Sequence, residues 1–249
     1  MIKFPDIDRR IFYWCVVGSH NYNLNDADSD RDYKVFVCPT FDDLYNGYQY
    51  STSRVGTELD YNAHDIRKLT ALLWKGNINF IETLFADEYR AAEIGEGLFA
   101  DVLARREDLA RMNLPNLWDA CQGMYHNKFK LLEKGTSGTR HLVNKYGYDT
   151  KQALHCYRCL DLLERYNANG FTDFKQAIWY EEGPERDFIR KIKQGSFTLN
   201  EFTGMVQIKQ KAVIRLGEIY KSQATNSDLH NWLNNQLREL IKAVITGLR

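Results

Sequence analysis

Two aspartates separated by one residue, Asp30 and Asp32, stand just ahead of an apolar run that begins at Tyr33. On an extended backbone, residues i and i+2 point to the same side, so the two carboxylates would lie next to each other. Neighbouring negative charges repel each other unless a cation lies between them. Carboxylate oxygens suit Mg²⁺ or Mn²⁺, which also bind water and phosphate oxygens. The pair therefore predicts a divalent-metal site, and a solvated acidic loop is the alternative interpretation.

A Gly18-Ser19 step lies upstream of the aspartates, directly after the apolar run from Ile11 to Val17. That run is rich in aromatic and β-branched residues and predicts a buried strand. A glycine after a strand lets backbone N–H groups approach an anion closely, and such groups bind phosphate oxygens. One short stretch of sequence would thus supply phosphate-binding donors and metal ligands together.

Two apolar strands, the Gly-Ser step and the Asp-x-Asp pair together resemble the signature of the DNA polymerase beta-like nucleotidyltransferases. The likeness is strongest to a branch of predicted nucleotidyltransferases from bacteria and phages, some of which are labelled as RNA repair proteins. It extends over most of the chain to about residue 200. The resemblance implies that Gly18 and Ser19 hold a nucleoside triphosphate and that Asp30 and Asp32 hold metal ions.

The family pattern requires a third acid, on a strand beside the first two, that helps to position the metal activating the attacking hydroxyl. The segment 57–61, with the sequence TELDY, predicts that strand, and we assign the third acid to Asp60. Glu58 would share its face at i−2 and is the rival candidate. A surface acid on an edge strand is the alternative interpretation of Asp60.

The segment 64–86 predicts two helices that are separated at Gly76. It resembles an Arg-Lys helix of the same family, followed by a Lys-Gly-Asn turn and a segment that contains Glu and Leu-Phe. The matching residues are Arg67, Lys68, Lys75, Gly76, Asn77, Glu82, Leu84 and Phe85. Turn capping and a solvent-exposed face are the alternative interpretation of Asn77 and Glu82.

A second group of polar residues lies on a predicted helix that begins after the N-cap residue Asp149. Helical periodicity places apolar residues on one face and nitrogen donors on the opposite face. The donors are Lys151, His155, Arg158 and Arg165. A basic helix face is often merely solvated, and that interpretation stays open here.

This helix also resembles the Gly-Tyr-Asp-Thr-Lys-His-Ala-x-His segment of the family, with Gln152 in place of the first His. The resemblance implies that Lys151, His155 and Arg158 face the nucleotide cleft. Cations at that position would bind the triphosphate and neutralise the charge that develops on the leaving pyrophosphate. These three residues are therefore our predicted nucleotide-binding residues outside the Gly-Ser step.

The order of the predicted elements indicates an α+β protein. A small mixed β-sheet nucleotidyltransferase domain with flanking helices would occupy residues 1–112. An all-helical C-terminal domain, which would complete the nucleotide cleft, would occupy residues 113–249. The last predicted helix, from about Ser227, carries leucines at helical spacing and suggests packing or a dimer contact.

Composition excludes some functions and leaves others open. Lysine and arginine number 33, as do aspartate and glutamate, so the net charge is zero and gives no argument for nucleic-acid binding. No apolar run approaches the ~20 residues of a membrane span, and the N-terminus lacks a signal-peptide core. We therefore expect a cytoplasmic protein without a membrane partner. The pair Cys156 and Cys159 has no second pair at zinc spacing, so we expect no zinc site there.

The leading hypothesis is a Mg²⁺- or Mn²⁺-dependent nucleotidyltransferase, with ATP as the first substrate to test. It would transfer a nucleoside monophosphate to an RNA end, a protein hydroxyl or a small molecule. The alternative is a non-catalytic nucleotide-binding module or an antitoxin-like interaction module on the same fold. The sequence leaves the acceptor and the oligomeric state open.

Overall fold

The computed structural model describes residues 2–26, 29–56 and 59–247. Within these ranges the strands are β1 (Ile11–Val17), β2 (Asp32–Val37), β3 (Ser51–Arg54), β4 (Asp60–Asp65) and β5 (Tyr89–Ala91). Short 3-10 helices span Gly18–Tyr22, Glu82–Phe85 and Glu93–Gly95. The α-helices are α1 (Phe41–Tyr45), α2 (Arg67–Trp74), α3 (Ile78–Ile81), α4 (Glu96–Ala104), α5 (Arg106–Arg111), α6 (Leu114–Lys130), α7 (Arg140–Tyr146), α8 (Thr150–Ala168), α9 (Phe174–Ile178), α10 (Pro184–Lys193), α11 (Leu199–Ile214), α12 (Gly217–Lys221) and α13 (Ser227–Thr246).

The strands form a five-stranded mixed sheet in the order β3-β4-β2-β1-β5. Strands β2 and β4 pair in parallel, and the other neighbouring strands pair antiparallel. The protein is therefore α+β, with the sheet in the N-terminal part of the chain and helices after it, as the sequence predicts.

One face of the sheet is the apolar core of this part of the chain. Alternation along β2 turns Tyr33, Val35 and Val37 to that face, where they are buried with residues of β1 and β4. Phe4, from the N-terminal segment, packs there with its ring edge against the ring of Tyr33 at 5.6 Å. The same alternation turns Asp32, two residues before Lys34, to the other face of the sheet.

Helices and aromatic rings cover part of the second face. Phe36 of β2 packs against the ring of Phe80 at 6.0 Å, and Tyr13 of β1 stacks on Phe99 at 3.8 Å. The hydroxyl of Tyr13 also donates a hydrogen bond to the carbonyl of Thr83. These contacts cover β1 and the C-terminal half of β2, whereas Asp32 at the start of β2 is exposed.

The chain divides into two compact units, one formed by residues 1–112 with 226–249 and the other by residues 113–225. The C-terminal segment 226–249 thus belongs to the first unit, and the division at residue 112 into a nucleotidyltransferase domain and a helical domain stays a prediction. The amide of Asn226 donates to the carbonyl of Met112, and the ring of His230 lies 4.7 Å from that of Trp74. These long-range contacts leave no local signal in the sequence.

Helix α13 turns its apolar stripe inward against the first unit. Its buried residues are Leu229, Leu233, Leu237, Leu240 and Ile241. A dimer contact through this helix stays a prediction, and such a contact would have to use its polar side.

The second unit is built around α6 and α8, which run antiparallel. The amide of Asp149 donates to the carbonyl of Leu132, and the thiol of Cys156 lies 3.8 Å from the carbonyl of Tyr125. The apolar face of α8 is buried as the sequence predicts, and burial raises the pKa of the Cys159 thiol to about 12. Among the described helices, none combines the length and the apolar composition that a membrane span requires.

Strand β4 differs from the predicted third strand. The sequence pattern placed a strand at 57–61, whereas the described strand is Asp60–Asp65. Asp60 is therefore its first residue, and α2 begins only at Arg67 because His64 and Asp65 continue the strand. Tyr61 and Ala63 pack into the core on one face of the strand, whereas Asp60, Asn62 and His64 lie on the other face. Asp65, the last residue, is buried and makes an ion pair with Arg67.

Candidate functional site

Two of the predicted acids lie opposite each other on neighbouring strands. In the parallel ladder between β2 and β4, Asp32 is paired in register with Asp60, and each is the first residue of its strand. Neighbouring strands are about 4.8 Å apart, and paired residues point to the same face. The fold therefore brings together two carboxylates that are separated by a long stretch of sequence.

Gly18 lies directly beside the first of these acids. Val17 pairs with Asp32 across β1 and β2, so the chain leaves β1 next to that carboxylate. Gly18 has φ of +72°, and a Cβ added to it would lie 2.8 Å from Oδ2 of Asp32. Both the backbone conformation and the close approach of Asp32 require glycine here. The predicted Gly-Ser step and the predicted acid are thus in direct proximity.

Ser19 continues from Gly18 into the 3-10 helix Gly18–Tyr22 rather than into a simple turn. Its carbonyl accepts a hydrogen bond of 2.9 Å from the amide of Leu24. A second contact joins this helix to the acidic loop, because Nε2 of His20 lies 3.4 Å from the carbonyl of Ser29. This contact places the helix next to Ser29, just ahead of Asp30.

Asp30 lies outside the strand, in the exposed segment that leads into β2. Between the acids, Arg31 makes an ion pair of 2.9 Å with Glu88 and interacts with Tyr33, a residue of the core face. The side chain of Arg31 is thereby directed away from the face of Asp32. The strand-like i, i+2 geometry that the sequence predicted begins only at Asp32.

A backbone amide just ahead of β4 holds the carboxylate of Asp60. The amide of Gly56 donates a hydrogen bond of 2.6 Å to Oδ1 of Asp60. Asp60 is half-buried, as expected for an acid that is supported by the backbone on one side. Glu58, the rival third acid, lies outside the described residues.

The sequence reasoning missed a buried cation behind the acids. Lys34 follows Asp32 at i+2 on the same face, donates to the carbonyl of Asn79 and lies 4.5 Å above the ring of Phe80. Burial lowers the pKa of Lys34, and the negative charges of Glu82 and Asp32 partly oppose that effect. A lysine inside an otherwise apolar strand was the available signal. A solvent-exposed face was one interpretation of Glu82 from the sequence, but the structure buries this residue.

In the second unit, α8 carries the predicted basic residues on one side. Lys151 is exposed, and His155 and Arg158 are partly exposed. Burial lowers the pKa of His155 to about 3, and the nearby charges of Arg158, Lys128 and Lys151 lower it further. Lys128 of α6 is thus a fourth basic residue in this group. The sequence did not predict it, because its position beside His155 depends on the antiparallel packing of α6 and α8.

Arg165, the last nitrogen donor of the predicted ladder, has a structural role. Its guanidinium donates hydrogen bonds to the carbonyls of Gln176 and Trp179, which fixes the end of α9 against α8. Tyr148, which lies just ahead of α8, packs in the core of the second unit, where its buried ring stacks on that of Phe202 at 5.9 Å. The basic face of α8 therefore consists of its N-terminal part.

The chemistry of the acids suits a hard divalent cation. Mg²⁺ is usually held by one or two carboxylates, with water and substrate phosphates as its other ligands. Asp32 and Asp60 in register, with Asp30 just ahead, match that donor set. Across residues 2–26, 29–56 and 59–247, no three His, Cys, Asp or Glu side chains are grouped closely enough to hold a metal ion on their own. An ion held by these carboxylates would take its remaining ligands from water or from substrate phosphates.

Comparison with known proteins gives one result. A model of the RNA repair pathway DNA polymerase beta family matches residues 5–160, more than half of the chain. The match covers the Gly-Ser step, the acids and the N-terminal part of α8. Searches of curated proteins and of solved structures find no match. On the family match, together with the mixed sheet that carries Asp32 and Asp60 beside Gly18, the chain belongs to the RNA repair pathway DNA polymerase beta family.

Proposed function

We propose that the protein is a metal-dependent nucleotidyltransferase that transfers a nucleoside monophosphate from a nucleoside triphosphate to an acceptor hydroxyl. The acceptor oxygen forms a bond to the α-phosphorus, the bond from that phosphorus to the bridging oxygen breaks, and pyrophosphate leaves. The acceptor proton is released to solvent. The observation that carries the proposal is the register of Asp32 with Asp60, with Gly18 in contact distance of Asp32.

Asp30, Asp32 and Asp60 would hold Mg²⁺ or Mn²⁺. When bound, such an ion lowers the pKa of the acceptor hydroxyl and neutralises phosphate charge. Asp32 and Asp60 contribute oxygens from two adjacent strands, so rigid sheet pairing rather than a mobile loop sets their separation. The hydrogen bond from the Gly56 amide keeps Asp60 in one orientation.

Gly18 and Ser19 would bind the β- and γ-phosphates through backbone and hydroxyl donors. Lys151, His155 and Arg158 would supply further donors to the triphosphate and to the leaving pyrophosphate. His155 is neutral at pH 7 because its pKa is lowered to about 3, so it would act as a hydrogen-bonding group rather than a cation. ATP is the first nucleotide to test.

The choice of acceptor rests on the family description and on the charge of the chain. The family description points to RNA. The net charge of zero gives this acceptor no general electrostatic support, so any RNA contact must be local. A protein hydroxyl and a small molecule are the other acceptors to test.

A transfer assay tests the reaction. The protein is incubated with α-labelled nucleoside triphosphates and Mg²⁺, separately with RNA, with itself and with small hydroxyl compounds. We expect label transfer that falls at least ~100-fold in Asp30→Asn, because losing one charged metal ligand removes transition-state stabilisation. Asp101→Asn, an exposed acid of α4, is the matched control and should retain activity. Unchanged transfer by Asp30→Asn would contradict the proposal.

A non-catalytic nucleotide-binding module or an antitoxin-like module is the second candidate. Nucleotide binding measured by calorimetry, without transfer to any acceptor in Mg²⁺ or Mn²⁺, would support this candidate over the enzyme.

A further inference from the structure

A row of polar side chains extends from the acids along the sheet. Asn62 and His64 follow Asp60 at i+2 and i+4 on β4, so all three point to the face of Asp32. On β3, Ser53 pairs with Asn62 and Ser51 pairs with His64, which places both serines on the same face. We call Ser51, Ser53, Asn62 and His64 the polar strip.

The polar strip is open to solvent beside a covered surface. Ser51, Ser53 and Asn62 are exposed, and His64 is half-buried. The ring of Phe80 lies 5.2 Å from the ring of His64 and borders the strip on the side of β2. The strip therefore has a polar floor, an aromatic border and the acids at one end.

Two lysines lie near the far end of the strip. Burial lowers the pKa of His64 to about 4, and the nearby charges of Lys34 and Lys68 lower it further. The ammonium of Lys34 is buried and donates to the carbonyl of Asn79, so it is not presented to solvent. Lys68, on the first turn of α2, is partly exposed and can contact a ligand. His64 itself is neutral at pH 7 and hydrogen-bonds to Ser51 at 3.3 Å.

The distribution of charge along the strip suits a chain that bears phosphates. The backbone from Asp60 to His64 covers about 13 Å, which exceeds one sugar-phosphate unit. Hydroxyl, amide and imidazole groups are typical contacts to sugars and phosphates, and a single lysine contributes one phosphate contact. A small acceptor would instead require an enclosed pocket, and this surface is an open row.

We propose that the polar strip and Lys68 bind the end of a single-stranded RNA acceptor, with its terminal hydroxyl at Asp60 and a backbone phosphate at Lys68. The inference rests on the proposed nucleotidyl transfer and names its acceptor. Asn62 and Ser53 would contact the last sugar and phosphate, and Lys68 would contact a phosphate further from the end.

Binding of a labelled six-nucleotide RNA to the full chain, without nucleotide, tests this inference by fluorescence anisotropy. We expect Lys68→Met to weaken binding about 5- to 10-fold and to reduce the slope of log K against log salt by about 0.7, as one lost phosphate contact requires. Lys3→Met is the matched control, since Lys3 is exposed next to Phe4, which packs on the opposite face of the sheet. Its affinity and salt slope should stay close to those of the unaltered chain.

Asn62→Ala tests the strip itself, with Ser53→Ala as a second variant if the first unfolds. Each should raise the acceptor KM about 5-fold while the KM for the nucleoside triphosphate stays unchanged. Unchanged RNA affinity in Lys68→Met, together with an unchanged acceptor KM in Asn62→Ala, would overturn the inference. Transfer to a protein or small molecule without RNA binding would also overturn it, but would leave nucleotidyl transfer standing. RNA binding without any transfer, in contrast, would contradict the proposed function alone.

Discussion

Gly18 links backbone conformation to the chemistry of the acids. Its φ of +72° is strained for any other residue, and its missing Cβ leaves the space that Oδ2 of Asp32 occupies. Gly47 has a similar φ of +66°, but a Cβ there would meet nothing within 4 Å. Alanine at position 47 would therefore introduce only the strain of the positive φ, whereas alanine at position 18 would introduce that strain and also displace Asp32.

Gly18→Ala should lose stability and activity together. We expect both Gly18→Ala and Gly47→Ala to lower the free energy of unfolding by about 1–2 kcal/mol through the positive φ. Only Gly18→Ala should also abolish nucleotidyl transfer, because it displaces the Asp32 carboxylate. Urea unfolding and the transfer assay measure the two effects. Equal activity in the two variants would show that the position of Asp32 is unimportant.

Helix α8 is the element that presents the basic residues, and Asp149 fixes its start. The carboxylate of Asp149 accepts from the amide of Gln152 at 3.0 Å and also from the hydroxyl of Thr139. Both Asp149 and Thr139 are buried. Asp173 caps α9 in a similar way, accepting from the amide of Gln176 at 2.7 Å, but at an exposed site.

Asp149→Ala should therefore cost more than Asp173→Ala. A lost N-cap costs about 1 kcal/mol, and the buried hydroxyl that loses its acceptor adds about 1–3 kcal/mol in Asp149→Ala. Urea unfolding of the two variants measures the difference. Equal losses would mean that the contact with Thr139 contributes nothing to the stability of the second unit.

Local patterns in the sequence were sufficient for several elements. The strand at 11–17, the capped helix from Asp149 and the acidic residues beside an apolar run all follow from short-range periodicity and capping. The pairing of Asp32 with Asp60 does not, because register between parallel strands depends on the whole sheet. The burial of Lys34 and the neighbourhood of Lys128 likewise depend on packing between distant segments.

At the scale of the whole molecule, the chain returns to its first unit at the end. Residues 226–249 pack with residues 1–112 after the helical unit 113–225 is complete. Because the sequence pattern of α13 shows only that it has one apolar face, the partner of that face could not be predicted from the sequence. Arg105 lies 4.6 Å from the ring of Trp232 and is one of the contacts that select this partner. The unit that contains the sheet is thus built from both ends of the chain.

The central claim is that Asp32 and Asp60 bind one divalent ion together with a nucleoside triphosphate. Titration of Mn²⁺ followed by electron paramagnetic resonance, with a non-hydrolysable triphosphate present, tests it most directly. We predict that Asp32→Asn and Asp60→Asn each weaken Mn²⁺ binding at least ~10-fold, because each removes a charged ligand. Asp101→Asn should bind Mn²⁺ as the unaltered chain does. Mn²⁺ binding that is unchanged in both Asp32→Asn and Asp60→Asn would contradict the account.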